Sequence, residues 1–311
     1  MTDTFRGQVH VDTDCGVDDA LALAVAARLG NLRSVTTTWG NCTALQAAVN
    51  ADYIIRQTGA TSIPIVPNDA VPPSSWTPSD VHGRDGLGDA VGLAPMAAST
   101  MDYSAAQSIV EFARAAGRAG RLLAIAPLTN VAAAYRLDPE AMLSLEQVVI
   151  MGGQGLATRS AWLDESGDTN TRHDPAATAE IAASALPVTW VGIDVTRHVL
   201  LNSRSFGNSS LGLNLLSISE GYGRARASSY GYDEVGPGWR VPAHDTVAAT
   251  VLLAPQSVAS VSAHPIIDFV AGSEVLRGRR TSSDSESTQR FVIAPPRLPT
   301  VDDLIRKAFD E

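Results

Sequence analysis

Short apolar runs rich in β-branched residues alternate with helical stretches through the first two thirds of the chain. Gln8–Asp14 (QVHVDTD), Leu32–Trp39, Ile63–Val66, Arg121–Ala126 (RLLAIA), Gln147–Met151 (QVVIM) and Pro187–Val195 (PVTWVGIDV) read as strands. Between them, Asp18–Leu29, Ala44–Gln57, Ser104–Ala116, Leu128–Tyr135 and Ala176–Ala185 read as helices. The strands are apolar on both faces, as a buried parallel sheet requires, and the alternation predicts βαβ units. Beyond residue 200 the pattern changes. A helix over Ser209–Ser228 leads into the loop Ser229–Val241, then a helix over His244–Leu253 and two strands, Ile266–Val270 and Arg290–Ile293. The Pro/Ser-rich stretch Val71–Ser79 is too short to join domains, and no internal repeat is visible. The expectation is one α/β domain over residues 1–311, with a central, mainly parallel sheet flanked by helices. In such sheets ligands bind at the carboxyl ends of the strands.

Composition narrows the function. Of the 311 residues, 45% are hydrophobic and 18% charged, which is globular and not disordered. The 33 Asp+Glu outnumber the 23 Lys+Arg, and a net charge of −10 disfavours nucleic-acid polymers and anionic membranes as partners. No apolar run approaches the roughly 20 residues of a membrane span. The N-terminal MTDTFRGQVH lacks the apolar core of a signal peptide, so the expected location is cytoplasmic. Two cysteines, Cys15 and Cys42, make neither a disulfide framework nor a zinc cage, and packing is their expected role. The chain has a single lysine, Lys307, near its C-terminus. Schiff-base, P-loop and pyridoxal chemistries therefore have no residue to use.

The richest segment is Val11–Ala22, VDTDCGVDDALA, with Asp12, Asp14, Asp18 and Asp19 at the turn from the first strand into the first helix. Helix capping accounts for one or two of these carboxylates but not for four. Crowded carboxylates raise one another's pKa unless a cation neutralises them, and hard Ca²⁺ or Mg²⁺ ions take oxygen ligands. An EF-hand is excluded, because its sixth and twelfth positions from Asp12 hold Val17 and Leu23 in place of Gly and Glu. Asp12-Thr13-Asp14 is also similar to the opening of Mg²⁺-dependent haloacid-dehalogenase-type phosphatases, although the phosphate-facing lysine of those enzymes has no counterpart here.

The run Asp12-Thr13-Asp14-Cys15-Gly16-Val17-Asp18-Asp19-Ala20 resembles the N-terminal signature of the calcium-dependent nucleoside hydrolases, DTDPGxDDA. The resemblance continues in order through Gly40-Asn41, His82-Gly83-Arg84-Asp85-Gly86-Leu87-Gly88, Ala126-Pro127-Leu128-Thr129-Asn130 and Met151-Gly152-Gly153. Asn170, four residues before Asp174-Pro175, and His244-Asp245 complete it.

This resemblance implies Ca²⁺-dependent hydrolysis of the N-glycosidic bond of ribonucleosides, in nucleoside salvage, by a homodimer or homotetramer. It implies that Asp14, Asp19, Asp245 and the backbone carbonyl of Ile125 hold the ion, with Asp14 also the base for the attacking water. Asp18, Asn41 and Asn170 would bind the ribose, with Met151 beside it; His244, or His82 in its Gly-rich loop, would protonate the departing base. A water-exposed loop position is the alternative for His82, and a packing or capping role that for His244. Tyr230, Tyr232 and Trp239 would either stack on the base or pack their loop. The stretch before Asp174 departs from the family's AEFN pattern. Asp168 stands where a glutamate holding the 5′-hydroxyl is expected, the partner asparagine is missing, and Trp162 or a neighbour takes its place. Two alternatives stay open at this point, the phosphatase and a non-catalytic member that binds calcium and a ribose-like ligand.

Overall fold

The computed structural model describes residues 7–78, 80–93, 104–156, 168–231, 239–270, 273–280, 288–296 and 298–310. Its strands are β1 (Gln8–Thr13), β2 (Leu32–Thr37), β3 (Ile65–Pro67), β4 (Gly120–Ala124), β5 (Gln147–Met151), β6 (Val188–Val191), β7 (Leu200–Leu201), β8 (Val241–Pro242), β9 (Ser260–Val270), β10 (Ser273–Arg279) and β11 (Gln289–Val292). Nine of them form one sheet in the order β10-β9-β11-β6-β5-β4-β1-β2-β3, parallel from β3 through β11. β9 runs antiparallel to β11, and β10 antiparallel to β9. Strands β7 and β8 pair as a separate antiparallel ribbon. The expected α/β architecture is what the chain adopts.

The helices are α1 (Val17–Leu29), α2 (Ala44–Gln57), α3 (Ala105–Ala116), α4 (Thr129–Leu137), α5 (Pro139–Leu143), α6 (Thr169–His173), α7 (Pro175–Ala183), α8 (Ile193–Thr196), α9 (Ser210–Tyr230), α10 (His244–Leu253) and α11 (Leu298–Asp310). They cover both faces of the sheet. One apolar core joins α1, α2, α9, α10 and α11 to one face, and a second joins α3, α4, α5 and α7 to the other. Helices α1 and α10 pack together, and each is buried along most of its length. Their sequences are therefore apolar all round instead of striped.

The expected strand over Pro187–Val195 ends early. At Gly192 the chain turns into α8, and a Cβ there would sit 2.3 Å from Asp194 Oδ1 and 2.6 Å from the Gly155 amide nitrogen. Only a glycine lets the backbone pass so close. The expected Ile266–Val270 strand is the second half of β9, and its partner β10 carries too many polar residues to announce itself.

Candidate active site

The strand order turns around at β1, with β2 and β3 added on one side and β4, β5 and β6 on the other. That switch leaves a crevice beyond the carboxyl ends of β1 and β4. A pocket of about 240 Å³ opens there, lined among others by Asp18, Asp19, Asn41, His82, Ile125, Met151, Asn170, Tyr222, Arg226, His244 and Asp245.

The turn after β1 is fixed before it meets any ligand. Gly16 caps α1, and its N–H donates to Asp19 Oδ2 at 3.0 Å, while the Thr13 hydroxyl donates to Asp19 Oδ1 at 2.6 Å. Asp14 is held by the β2–α2 loop. Asn41 N–H donates to its Oδ2 at 2.7 Å, and the Asn41 amide to its Oδ1 at 3.2 Å. The carbonyl of the same Gly40–Asn41 peptide accepts the Trp76 indole N–H at 2.9 Å, which orients the plane toward Asp14. Gly40 is obligatory here, because a Cβ would lie 1.8 Å from Asp14 Oδ2.

Asp18, Asp19 and Asp245 place one carboxylate oxygen each within 4.8 Å of one another. All three are buried, and Asp14 adjoins them. Burial raises the pKa of Asp14, with the charge of Asp19 adding to it, and raises Asp245, with Asp18 and Asp19 adding. Asp18 is pushed up to about 7 by burial and Asp19, with Arg226 opposing. A buried anionic cluster of this kind is a strained arrangement without a cation. Its donors are all hard oxygens, and the residues fit a divalent Ca²⁺- or Mg²⁺-type ion. The α1 and α10 N-termini, which carry Asp18, Asp19 and Asp245 in their first turns, add partial positive charge.

Asp12 does not join this cluster, contrary to the reading of four carboxylates at one turn. It lies inside β1, where its Oδ1 accepts from the Thr36 hydroxyl at 2.6 Å and the Asn130 amide at 2.8 Å. Asp245, from α10, supplies the fourth carboxylate instead. Ile125 follows β4 and lines the pocket; its N–H donates to Asp12 O at 2.9 Å, extending the β1–β4 ladder toward the cluster.

Both candidate histidines line the pocket. His82 is 3% exposed, not a water-exposed loop residue. Its loop is tied down by Asp85, whose carboxylate accepts the N–H groups of Leu87, Asp89, Val91 and Gly92, and by Asn50, whose amide donates to Asp85 O and Cys15 O. Val17 N–H donates into His82 Nδ1 at 3.1 Å, so the ring proton belongs on Nε2. The Tyr222 ring stacks on this imidazole with centroids 4.5 Å apart, and the Arg226 guanidinium lies 5.6 Å from the Tyr222 centroid. Burial, Arg226 and His244 push His82 down to about 3, and burial, Arg226 and Arg197 push His244 down to about 3. Both imidazoles are neutral at neutral pH. His244 Nδ1 hydrogen-bonds the Thr196 hydroxyl at 2.7 Å.

At the β5 side of the pocket, the Asn170 amide donates to Met151 O at 3.2 Å. Asp168 also lines the pocket, as its expected place beside the substrate requires, and its carboxylate is hydrogen-bonded within the protein. It caps α6, accepting Thr171 N–H at 2.9 Å, and also accepts Gly153 N–H at 2.7 Å and the Thr171 hydroxyl. Trp239 packs against α9, where a Cβ on Gly223 would lie 2.8 Å from its ring. Trp162 and Tyr232 lie outside the described residues, and so does the side chain of Tyr230. Cys15 and Cys42 are buried, and the Cys42 thiol donates weakly to Asp14 O at 3.4 Å. They pack, as expected.

The sequence matches the model of the family described as inosine-uridine preferring nucleoside hydrolase over residues 9–294. The chain belongs to that family. It is 29% identical to "Probable uridine nucleosidase 2" of Oryza sativa subsp. japonica over 259 residues, 80% of this chain and 74% of the rice protein. It is 31% identical to "Non-specific ribonucleoside hydrolase RihC" of Escherichia coli (strain SMS-3-5 / SECEC) over 204 residues. That alignment spans 63% of this chain and 64% of the other, so less than two thirds of the bacterial hydrolase is matched. Among solved structures, "Plant nucleoside hydrolase - PpNRh1 enzyme" superposes with a TM-score of 0.82 at 21% identity, covering 98% of this chain and all of the plant one. The match shows a shared fold.

The family signatures account for the acids and the two histidines but not for Tyr222, Arg226, Arg172 or Arg197, which also line the pocket. Tyr222 and Arg226 are one turn apart on α9. That i, i+4 spacing was the available signal, but nothing local tells which way the face points. Among the described residues no helix is long and apolar enough to cross a membrane. The only lysine, Lys307, lies in the last turn of α11, and a phosphatase-type lysine is absent from the pocket.

Proposed function

We propose that the protein hydrolyses the N-glycosidic bond of ribonucleosides, releasing base and ribose, with a divalent cation bound at the aspartate cluster. The observation that carries this reading is the convergence of Asp18, Asp19 and Asp245 with two amide side chains, Asn41 and Asn170, in one pocket, with Asp14 held behind them by Asn41. The names of the rice and bacterial relatives, a uridine nucleosidase and a ribonucleoside hydrolase, support it.

Asp14, Asp19, Asp245 and the Ile125 carbonyl would hold the ion, and Ca²⁺ suits a donor set of several carboxylates and a carbonyl. Such an ion would neutralise the carboxylates and would make water at the site more acidic. Asp14 takes the proton of the water that attacks C1′, and the Gly40–Asn41 peptide keeps its carboxylate in place for that transfer. Asp18, Asn41 and Asn170 bind the ribose hydroxyls, and Met151 closes the floor of the pocket beneath the sugar. His244 and His82 would face the base, each donating a hydrogen bond from its neutral ring to the base nitrogen as the bond breaks, with the proton itself arriving from solvent. A homodimer or homotetramer working in cytoplasmic nucleoside salvage is the accompanying proposal, by the family resemblance alone.

The test is a panel of purine and pyrimidine ribonucleosides assayed for reducing-sugar release, with Ca²⁺ and with a chelator. Release that depends on the cation is the expected result. Binding of nucleoside without release over hours would establish the non-catalytic alternative.

A further inference from the structure

The antiparallel hairpin at the edge of the sheet reaches back to the pocket. Besides pairing with β9, β10 carries the turn that follows β5: Gln154 N–H donates to Leu276 O at 2.9 Å, and Gly278 N–H donates to Gly155 O at 2.7 Å. The same turn is tied on its other side. Ile193 N–H donates to Gly153 O at 2.9 Å, and Gly153 N–H donates to Asp168 Oδ2 at 2.7 Å. Met151, before the turn, and Asp168 and Asn170, after it in the chain, line the pocket. The turn's one polar side chain is Gln154, which is 1% exposed and whose Oε1 accepts from Arg277 Nη2 at 3.3 Å. Arg277 is itself buried, and its Nη1 reaches Asp268 Oδ2 at 3.3 Å. Its charge also acts on Asp194, whose Oδ1 is buried with no donor on it. Arg277 does not line the pocket. Taking a guanidinium out of water is costly, and a well-packed apolar side chain often serves stability as well. What the guanidinium adds is a planar fork that holds two partners at a set angle.

We propose that Arg277 is a positioning residue for the ribose: through Gln154 it holds the Gly152–Leu156 turn, and with it the side of the pocket formed by Met151, Asp168 and Asn170. This rests on the ribonucleoside hydrolase reading given above. The groups on that side hang on the backbone at the start of the turn, since the Asn170 amide donates to Met151 O and Asp168 accepts Gly153 N–H. The turn cannot fix its own shape. Three of its five residues are glycine, with Gly153 and Gly155 at φ values of +78° and +59°, so its backbone has many conformations to choose from. The clamp from β10 selects one of them. A shift of about 1 Å in a group that positions substrate can cost as much as about 10²-fold in rate. The competing role is charge balance, with Arg277 offsetting Asp194 and Asp268 and no bearing on the sugar. The two roles differ in whether Gln154 matters.

The experiment measures uridine hydrolysis with Ca²⁺ present, and calorimetric binding of D-ribose and of Ca²⁺, in wild type, Arg277→Met, Gln154→Leu and the double variant. Each single substitution is expected to lower kcat/KM by about ten- to hundredfold and to weaken ribose binding, while the Ca²⁺ dissociation constant stays within about twofold. The double variant should fall no further than the worse single one, because both substitutions break the same contact. Gln154→Leu leaves Arg277 beside Asp194 and Asp268, so normal kcat/KM and ribose affinity in that variant establish charge balance and overturn the proposal. A lowered Tm with unchanged kcat/KM and ribose affinity overturns it too, as do losses that multiply in the double variant. Should Arg277→Met fail to fold, the Gln154→Leu result decides alone. Ribose binding that weakens in both variants, with no nucleoside hydrolysed by wild type, supports the clamp and overturns the hydrolase reading. Wild-type turnover with unchanged variants overturns the clamp and leaves that reading standing.

Discussion

Two groups of buried aspartates sit at the carboxyl edge of the same sheet and do opposite things. Around β1 and α10, Asp14, Asp18, Asp19 and Asp245 crowd together; burial raises the pKa of all four, and neighbouring carboxylates add to the rise at Asp14, Asp18 and Asp245. Beside β5, Asp168 is as deeply buried, but Gly153 N–H, Thr171 N–H and the Thr171 hydroxyl take up its carboxylate. Burial still raises Asp168, whereas Asp85, with four backbone N–H groups on it, has a lowered pKa. Burial alone therefore does not mark a functional carboxylate. What marks it is burial among like charges, whose repulsion hydrogen bonds leave in place and a cation removes. Satisfied carboxylates such as Asp168 and Asp85 brace loops.

The contrast can be broken most forcefully by removing the cation. Chelation, or Asp245→Ala, is expected to abolish reducing-sugar release, with Asp245→Ala also losing Ca²⁺ binding in calorimetry. Retained activity in Asp245→Ala would show that the cluster is not the metal site.

Asp14→Asn is the next largest effect. Loss of the base should cost about 10²–10⁴ in kcat. More than about a tenth of wild-type kcat, a loss under about 1.4 kcal/mol, would remove Asp14 from that role. Because the substitution deletes one buried charge from the cluster, thermal unfolding of the metal-free variant should occur no lower than in wild type. Substituting Ala for His244 should lower kcat on natural nucleosides while sparing p-nitrophenyl riboside; equal losses would make it a structural histidine.

Stability separates the two groups as well. Excess Ca²⁺ at about 100 times its dissociation constant should stabilise the protein by about 2.7 kcal/mol, read as a rise in Tm. The sign with pH follows from the raised carboxylates. Burial and neighbouring carboxylates raise the pKa of the proposed ligands Asp14 and Asp245, so the metal-free fold holds protons there that the ion must displace. The Ca²⁺-dependent rise in Tm should therefore grow with pH and shrink as the pH falls. A gain that is constant down to about pH 5 would contradict the cluster as its source.

Asp168→Ala should show the converse. Losing an N-cap costs about 0.5–2 kcal/mol, and the unpaired Gly153 N–H adds about 1–3 kcal/mol. The fall in Tm should be the same with and without Ca²⁺. The smallest effect is on the sugar. With its carboxylate already taken, Asp168 should contribute little to the 5′-hydroxyl, so kcat/KM for uridine over 5′-deoxyuridine should stay below about 10³, far from the 10⁴–10⁵ of a dedicated polar site. A larger ratio that survives Asp168→Glu would assign the hydroxyl to other residues.

Much of this was legible in the chain. The strands from Gln8 to Val191 were visible because a parallel sheet buried on both faces demands continuous apolar runs, and α1 and α10 because their first turns carry acids ahead of apolar stretches. Asp14, Asp18, Asp19, Asn41 and His244-Asp245 could be nominated from motifs alone. The boundary at Gly192 could not, since the backbone that a side chain there would strike belongs to Gln154 and Gly155, in another loop.

By itself, the sequence determined the elements, their alternation and the identity of the chemical groups, because propensity, periodicity and short motifs are local properties. Only the tertiary structure decided which groups share a space. It turned Asp12 toward Thr36 and Asn130, brought Asp245 into its place, spent Asp168 on Gly153 and Thr171, and stacked Arg226 over Tyr222 and His82. The reason is physical. A carboxylate's pKa and a guanidinium's reach depend on distance and burial, and both are set by where the sheet places elements far apart in the chain.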